Sequence, residues 1–179
     1  KNFAPGGEGG FRSLEGLRLT AFRERPVQPL LHLSLFVNYN RDEVYTKVMQ
    51  NTIFTKIING EIPCHKIYED EHTFAFLDIF PSCEGHTLVV NKTPAEFVWD
   101  LSSEEYGQLM TSVKKIADHF RTVSGKRHVG LGVGGTDVPH NHVHLKPFDA
   151  VAELHGPQRE HAEPDHAALA RMAEKLRLG

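Results

Sequence analysis

The stretch His140-Asn141-His142-Val143-His144-Leu145-Lys146, set between Pro139 and Pro147, decides how this chain is read. Its three histidines fall on every second position. In an extended strand successive side chains alternate faces and each residue rises ~3.3 Å, so the three rings share one face, with neighbouring Cα atoms roughly 6.6 Å apart. Val143 and Leu145 then point the other way, towards a core. A helix, with its repeat of about 3.6 residues, would scatter the same rings.

Three readings fit such a face. The first is a solvated, histidine-rich surface strand in a chain that holds 12 histidines. The second is a metal cluster. The third is nucleophilic or acid–base chemistry. A neutral imidazole attacks phosphorus near neutral pH because its unperturbed pKa is ~6.5. Such a ring needs its second nitrogen held as a donor, which fixes the tautomer, and a partner that manages leaving-group protons. Flanking histidines on one strand face can supply both.

Composition narrows the field. A chain of 179 residues holds one domain with a real core plus appendages. With 20 basic and 23 acidic residues the net charge is −3, no electrostatic footprint for nucleic acid or an anionic membrane. Cys64 and Cys83 are the two cysteines and form no disulfide framework, so a reducing compartment, the cytoplasm, is the expectation. The most apolar run, 27–37, is interrupted by Gln28, Pro29, His32 and Ser34 and falls short of the ~20 apolar residues a membrane span needs.

Residues 1–48 differ in character from the rest of the chain. They open on Gly6-Gly7-Glu8-Gly9-Gly10 and scatter Arg12, Arg18, Arg23, Arg25 and Arg41 without period. Glu8, Glu15, Glu24, Asp42 and Glu43 argue against an organelle-targeting peptide, which is poor in acids. We expect an extension that is disordered or not native, with Met49 as the natural start; the alternative is a genuine accessory segment. A domain over 49–150 and a C-terminal tail with a helix over 151–179 complete the expected organisation.

Within the domain, Ile53, Phe54, Ile57 and Ile58 follow helical spacing over 52–59, with Thr52 as N-cap and Gly60 just past the end. Strands are expected over 66–69, 73–79, 86–91, 129–133 and 140–146, in an antiparallel meander. Residues 102–123 form the clearest helix. Ser102 and Glu105 make a capping box, Leu109, Val113, Ile116, Ala117 and Phe120 line one face, and Gly125 ends it. A last helix over 162–178 places Leu169, Met172, Ala173 and Leu176 on one side. One sheet with helices packed on one face is an α+β architecture.

The histidine stretch resembles the motif of the histidine-triad (HIT) family, His-φ-His-φ-His-φ-φ with φ apolar. Three further segments resemble that family in order: Ile53-Phe54-Thr55-Lys56-Ile57-Ile58-Asn59-Gly60-Glu61-Ile62-Pro63, then Phe76-Leu77-Asp78-Ile79, then Gly85-His86-Thr87-Leu88-Val89-Val90. The likeness runs over about residues 52–150. Asn141 and Lys146 depart from it, standing where apolar residues are expected.

The resemblance implies a HIT-like α+β fold of about five strands and a homodimer in which two sheets join. It implies a phosphoramidase-like hydrolase or transferase acting at the α-phosphate of nucleoside phosphoramidates or related purine nucleotidyl conjugates. A dinucleoside polyphosphate hydrolase is one alternative; a nucleotide-binding or scaffold protein with little turnover is another. By resemblance His142 is the nucleophile, forming a nucleotidyl-histidine. His140 orients it, His144 contacts phosphate or assists the leaving group, and His86 is the fourth histidine. Asp78 stands at the ribose hydroxyls with Ile79 beside it, and Phe54 and Ile57 line the base pocket. Gly134-Gly135-Thr136 would let backbone amides approach phosphate. By strand alternation Lys146 lies on the triad face, within reach of the polyphosphate or leaving group. Some family members bind zinc through Cys-x-x-Cys in the opening helix. Thr52 and Thr55 stand at those positions, and hydroxyls are poor zinc ligands, so neither a structural metal nor a cofactor is expected.

Overall fold

The structure is a computed structural model that describes residues 51–134, 138–154 and 163–179. The expected extension, 1–48, and the candidate phosphate contacts Gly135 and Thr136 lie outside these residues.

Helix α1 (Ile53–Ile58) opens the domain. The Thr52 hydroxyl accepts from the Thr55 amide at 3.1 Å, and Gly60, at φ 79°, takes the left-handed turn after the helix. Strands β1 (Lys66–Glu69) and β2 (Thr73–Leu77) come next, joined by a turn in which Asp70 accepts from the amides of His72 and Thr73. Strand β3 (Thr87–Asn91) completes a meander. Helix α2 (Ser103–Val123) is capped reciprocally: the Ser102 hydroxyl accepts from the Glu105 amide, and the Glu105 carboxylate accepts from the Ser102 amide. Strands β4 (His128–Val133) and β5 (His142–Phe148), the four-residue helix α3 (Val151–Leu154) and helix α4 (His166–Leu176) complete the order. Helix α4 is shorter than the sequence pattern because Asp165 caps it, accepting from the Ala168 amide, just after Pro164.

The sheet is antiparallel in the order β1-β2-β3-β5-β4. Three strands run as a meander; β5 then enters between β3 and β4, leaving β4 at the edge. Here α2 intervenes between β3 and β4, so strands adjacent in sequence need not be adjacent in space.

Strand alternation splits the sheet into two unlike faces. On one, Ile67, Ala75, Leu77, Val89, Val143 and Leu145 are buried in a single cluster. Leu109, Val113, Ile116 and Phe120 of α2 and Leu169, Ala173 and Leu176 of α4 join the same cluster. On the other, Phe74, Phe76, Leu88 and Val90 meet Phe54 and Ile57 of α1. Helices therefore cover both faces rather than one: α1 is too short to be read as a layer, yet its two buried residues close the second face. No helix among the described residues is long and apolar enough to cross a membrane.

Candidate active site

The triad histidines lie on the face covered by α1. His142 is paired with Val90 of β3, and His144 with Leu88. His140 precedes the strand, but its ring stays on the same side: Phe54 stands edge-on to the rings of His140 and His142, at 5.9 and 5.3 Å between centroids.

His142 is almost fully buried, and its Nδ1 lies 2.7 Å from the main-chain oxygen of His140. A carbonyl oxygen only accepts, so Nδ1 carries the proton and Nε2 keeps its lone pair. The tautomer is thus set by the carbonyl of His140, not by its ring.

That ring has its own task. Its Nε2–H donates to the Asn91 carbonyl at 2.9 Å, so its Nδ1 accepts from the Thr52 hydroxyl at 3.0 Å. The Thr55 hydroxyl stands 2.9 Å from that of Thr52. Burial holds the pKa of His140 below its ordinary value. With both nitrogens engaged, His140 ties the N-terminus of α1 to the end of β3. The hydroxyls that take the Cys-x-x-Cys positions are committed to this network.

The third histidine belongs to a chain of groups. His144 Nδ1 lies 2.9 Å from His86 Nε2, and His86 Nδ1 lies 3.2 Å from Asp78 Oδ2. Burial, reinforced by His144, Lys146 and His142, takes the pKa of His86 from 6.5 to about 3, so the contact to Asp78 is made by a neutral ring. The Ser82 amide also approaches His86 Nδ1, at 3.3 Å. Only one of the two can be satisfied. A carboxylate is the stronger partner, which puts the proton on Nδ1 and makes Nε2 the acceptor from His144. Asp78 Oδ1 accepts from the Phe80 amide at 2.9 Å, yet burial still raises the pKa of Asp78.

Ligand atoms of Asp78, His86 and His144 all lie within 4.8 Å of one another, a spacing that admits a metal ion. The bonding pattern does not favour one. Asp78 and His144 sit on opposite nitrogens of the same imidazole, whose lone pairs diverge, so a single ion cannot replace both contacts. The set makes a relay rather than a cage.

A cleft of about 470 Å³ opens beside the triad. Phe54, Ile57, Asp78, Ile79, His142 and His144 are among its lining residues. Sequence reading therefore found residues that do come together here, while His86 and His140 stand behind them. It missed Phe76, Leu88 and Val138, which also line the cleft, because apolar strand residues carry no mark that separates a pocket wall from a core. It also missed the scaffold behind the triad. Asn141 is fully buried; its amide donates to the carbonyls of Thr93 and Ala95, and its side-chain oxygen accepts from the Asn91 amide. The Ala95 carbonyl also accepts from the Asn141 main-chain amide at 2.7 Å, but an apolar residue at 141 would take the side-chain donor from the Thr93 carbonyl and the acceptor from the Asn91 amide, which accounts for the departure at that position.

Known proteins resemble this chain in both sequence and fold. The model of the HIT domain family matches residues 59–150. The chain is 43% identical over 118 residues to Protein hit of Bacillus subtilis, covering 59% of this chain and 81% of that protein. It is 35% identical over 97 residues to adenosine 5′-monophosphoramidase HNT1 of Saccharomyces cerevisiae, over 53% of this chain and 61% of that one. The crystal structure of a Hit-like protein from Bartonella henselae superposes with a TM-score of 0.61 at 28% identity, covering 72% of this chain and 95% of that chain.

Proposed function

The chain belongs to the HIT domain family, and on that premise we propose that it is a nucleotide hydrolase or transferase that cleaves nucleoside phosphoramidates at the α-phosphorus through a nucleotidyl-histidine. One observation carries the reading: His142 donates from Nδ1 to a carbonyl, which leaves the Nε2 lone pair at the wall of the cleft. Nε2 attacks the α-phosphorus, an N–P bond forms, and the bond to the leaving nitrogen breaks. The departing nitrogen must gain a proton. His144, its ring 4.9 Å from that of His142, would supply it from Nε2 in the imidazolium form, while its Nδ1–H stays on His86 and the His86–Asp78 pair stabilises the charge. Water then attacks the phosphorus and passes a proton back along the same route. Nucleoside 5′-monophosphate leaves, and Nε2 recovers its lone pair.

Asp78 would accept from the ribose hydroxyls with lone pairs not used by Phe80 or His86, as a carboxylate has about four acceptor sites. Ile79, Phe54 and Ile57 would enclose the sugar and base. A purine is favoured because the yeast relative is named for an adenosine substrate. Residues 135 and 136 remain candidate phosphate contacts on sequence grounds alone. The domain boundaries at 49 and 150 also stand as part of this reading.

A homodimer is part of the proposal. Among the described residues strand β4 has no partner on its outer side, and Leu131 and Val133 on it are exposed. Sedimentation equilibrium returning the mass of one chain at micromolar concentration would exclude it.

The test of the mechanism uses a slow substrate. Intact mass should reveal one nucleotide attached to the wild type, labile in acid, and none attached to the His142→Asn variant. Turnover that survives this substitution, or that a chelator abolishes in the wild type, would overturn the covalent route.

A further inference from the structure

Beyond His144, away from the nucleoside cleft, a second cavity of about 310 Å³ opens over the paired strands β4 and β5. His144 lines both cavities, so it forms the wall where the two meet. Lys146 and Leu154 of α3 also line the second. The room exists because the residues across from the two bases carry no side chain: Gly132 is paired with His144 and Gly130 with Lys146. Residues directly opposed in a sheet point to the same face, so larger residues there would fill the space. A Cβ at Gly132 would meet nothing within 4 Å, whereas one at Gly130 would meet the side chain of Leu154 at 2.9 Å.

The charge balance of this cavity is one-sided. Lys126 nearby is spent on Glu153 at 2.9 Å and Asp149 at 3.4 Å. Lys146 is a partly buried residue that makes no ion pair among the described residues, and no carboxylate among them lines this cavity, so its ammonium is available to an anionic ligand. Along the strand Lys146 is roughly 6.6 Å beyond His144. Its ammonium therefore reaches a group a few bonds past the atom that departs from the phosphorus.

We propose that this cavity is the leaving-group subsite, and that Lys146 selects leaving groups that carry an anion, a phosphate or a carboxylate, just beyond the scissile bond. The inference rests on the α-phosphoryl chemistry proposed above. It assigns the nucleoside to one cavity and the departing group to the other, with the reacting phosphorus at their shared wall. It also gives the second departure from the family motif a task, since an apolar residue at 146 would offer no charge.

A series of adenosine 5′-phosphoramidates differing only in the amine tests the proposal: ethylamine, β-alanine and 2-aminoethyl phosphate. In the wild type kcat/KM should favour the two anionic amines over ethylamine. In Lys146→Met that preference should fall about tenfold, and in Lys146→Glu it should invert. Preference for one anion over the other distinguishes phosphate from carboxylate. Gly132→Val should build a side chain into the cavity and penalise 2-aminoethyl phosphate more than ethylamine. Ratios that are the same in all four proteins would overturn the subsite. If the wild type turns over none of these compounds, the chemistry fails and the subsite is judged by binding alone. His142→Asn should then bind ADP more tightly than AMP by calorimetry, and adding Lys146→Met should erase the difference. An unchanged difference would overturn it.

Discussion

The two faces of one sheet are built from the same strands and do opposite work. Val143 and Leu145 look into an apolar cluster sealed by α2 and α4; His142 and His144, one position along, look into a cleft behind a helix of six residues. The first face gains from burial, about 25 cal/mol for each Å² of apolar surface removed from water. The second buries His86, His140 and His142, which cost solvation unless each is hydrogen-bonded. They are bonded: His142 and His140 to main-chain carbonyls, His140 also to Thr52, and His86 to His144 and Asp78. The difference teaches that stability and reactivity are separated here by the pleat, not by distance.

The largest effect should come from crossing that division in both directions. His142→Asn should lower turnover at least ~10³-fold while leaving the fold intact, because the asparagine amide can still donate to the His140 carbonyl. Phe120→Ala, on the far face, should cost ~3–5 kcal/mol in urea unfolding and leave kcat/KM of the folded protein near its original value. Steady-state kinetics and urea midpoints on both variants check this. A His142 variant that unfolds, or a folded Phe120 variant that loses most activity, would break the comparison.

A pH dependence should arise from the reactive face. His86 is held neutral, with its pKa lowered to about 3, and burial lowers that of His140 as well. The unfolded chain binds these protons below about pH 6.5 while the fold refuses them, so stability is full above that value and falls as pH drops towards 3. Asp78, with its pKa raised, acts in the opposite sense over the acid range and softens the decline. Urea midpoints at pH 7, 5.5 and 4.5 should decrease in that order, and His86→Gln should flatten the slope. A wild-type midpoint that is constant from pH 7 to 4.5 would show that the histidines on this face are not held neutral.

A smaller effect should mark the joint between α1 and the triad. Thr52→Val removes an N-cap and the donor to His140, at a cost of ~1–2 kcal/mol by the same unfolding measurement. The smallest is expected from a chain starting at Met49, which should match the full chain in turnover. Loss of activity on that truncation would give residues before the domain a part in one face or the other.

What could be read from the sequence was local. Thr52, Ser102 with Glu105, Gly60 and Gly125 end their helices by chemistry confined to a few neighbouring residues, and each stands where the pattern put it. The alternation of β5 was legible for the same reason. What escaped was non-local. Nothing in 128–148 says that β5 pairs with β3 and leaves β4 outside. Nothing near His140 says that its ring turns to a carbonyl 49 residues away. The pairing of Asp78 with His86 was hidden because both residues have a ready role on their own, and only the closure of the 78–86 loop brings them within 3.2 Å.

Asn141 has a consequence for how this chain can drift. Among the described residues its side chain bonds main-chain atoms alone, at residues 91, 93 and 95. Backbone atoms are the same whatever the side chain, so Thr93 and Ala95 can be exchanged without disturbing the bond, while Asn141 cannot. The constraint is one-sided and leaves no paired changes between the positions it joins. In a collection of descendants, co-variation would pass over this contact in silence, and only the fixity of a single asparagine would record it.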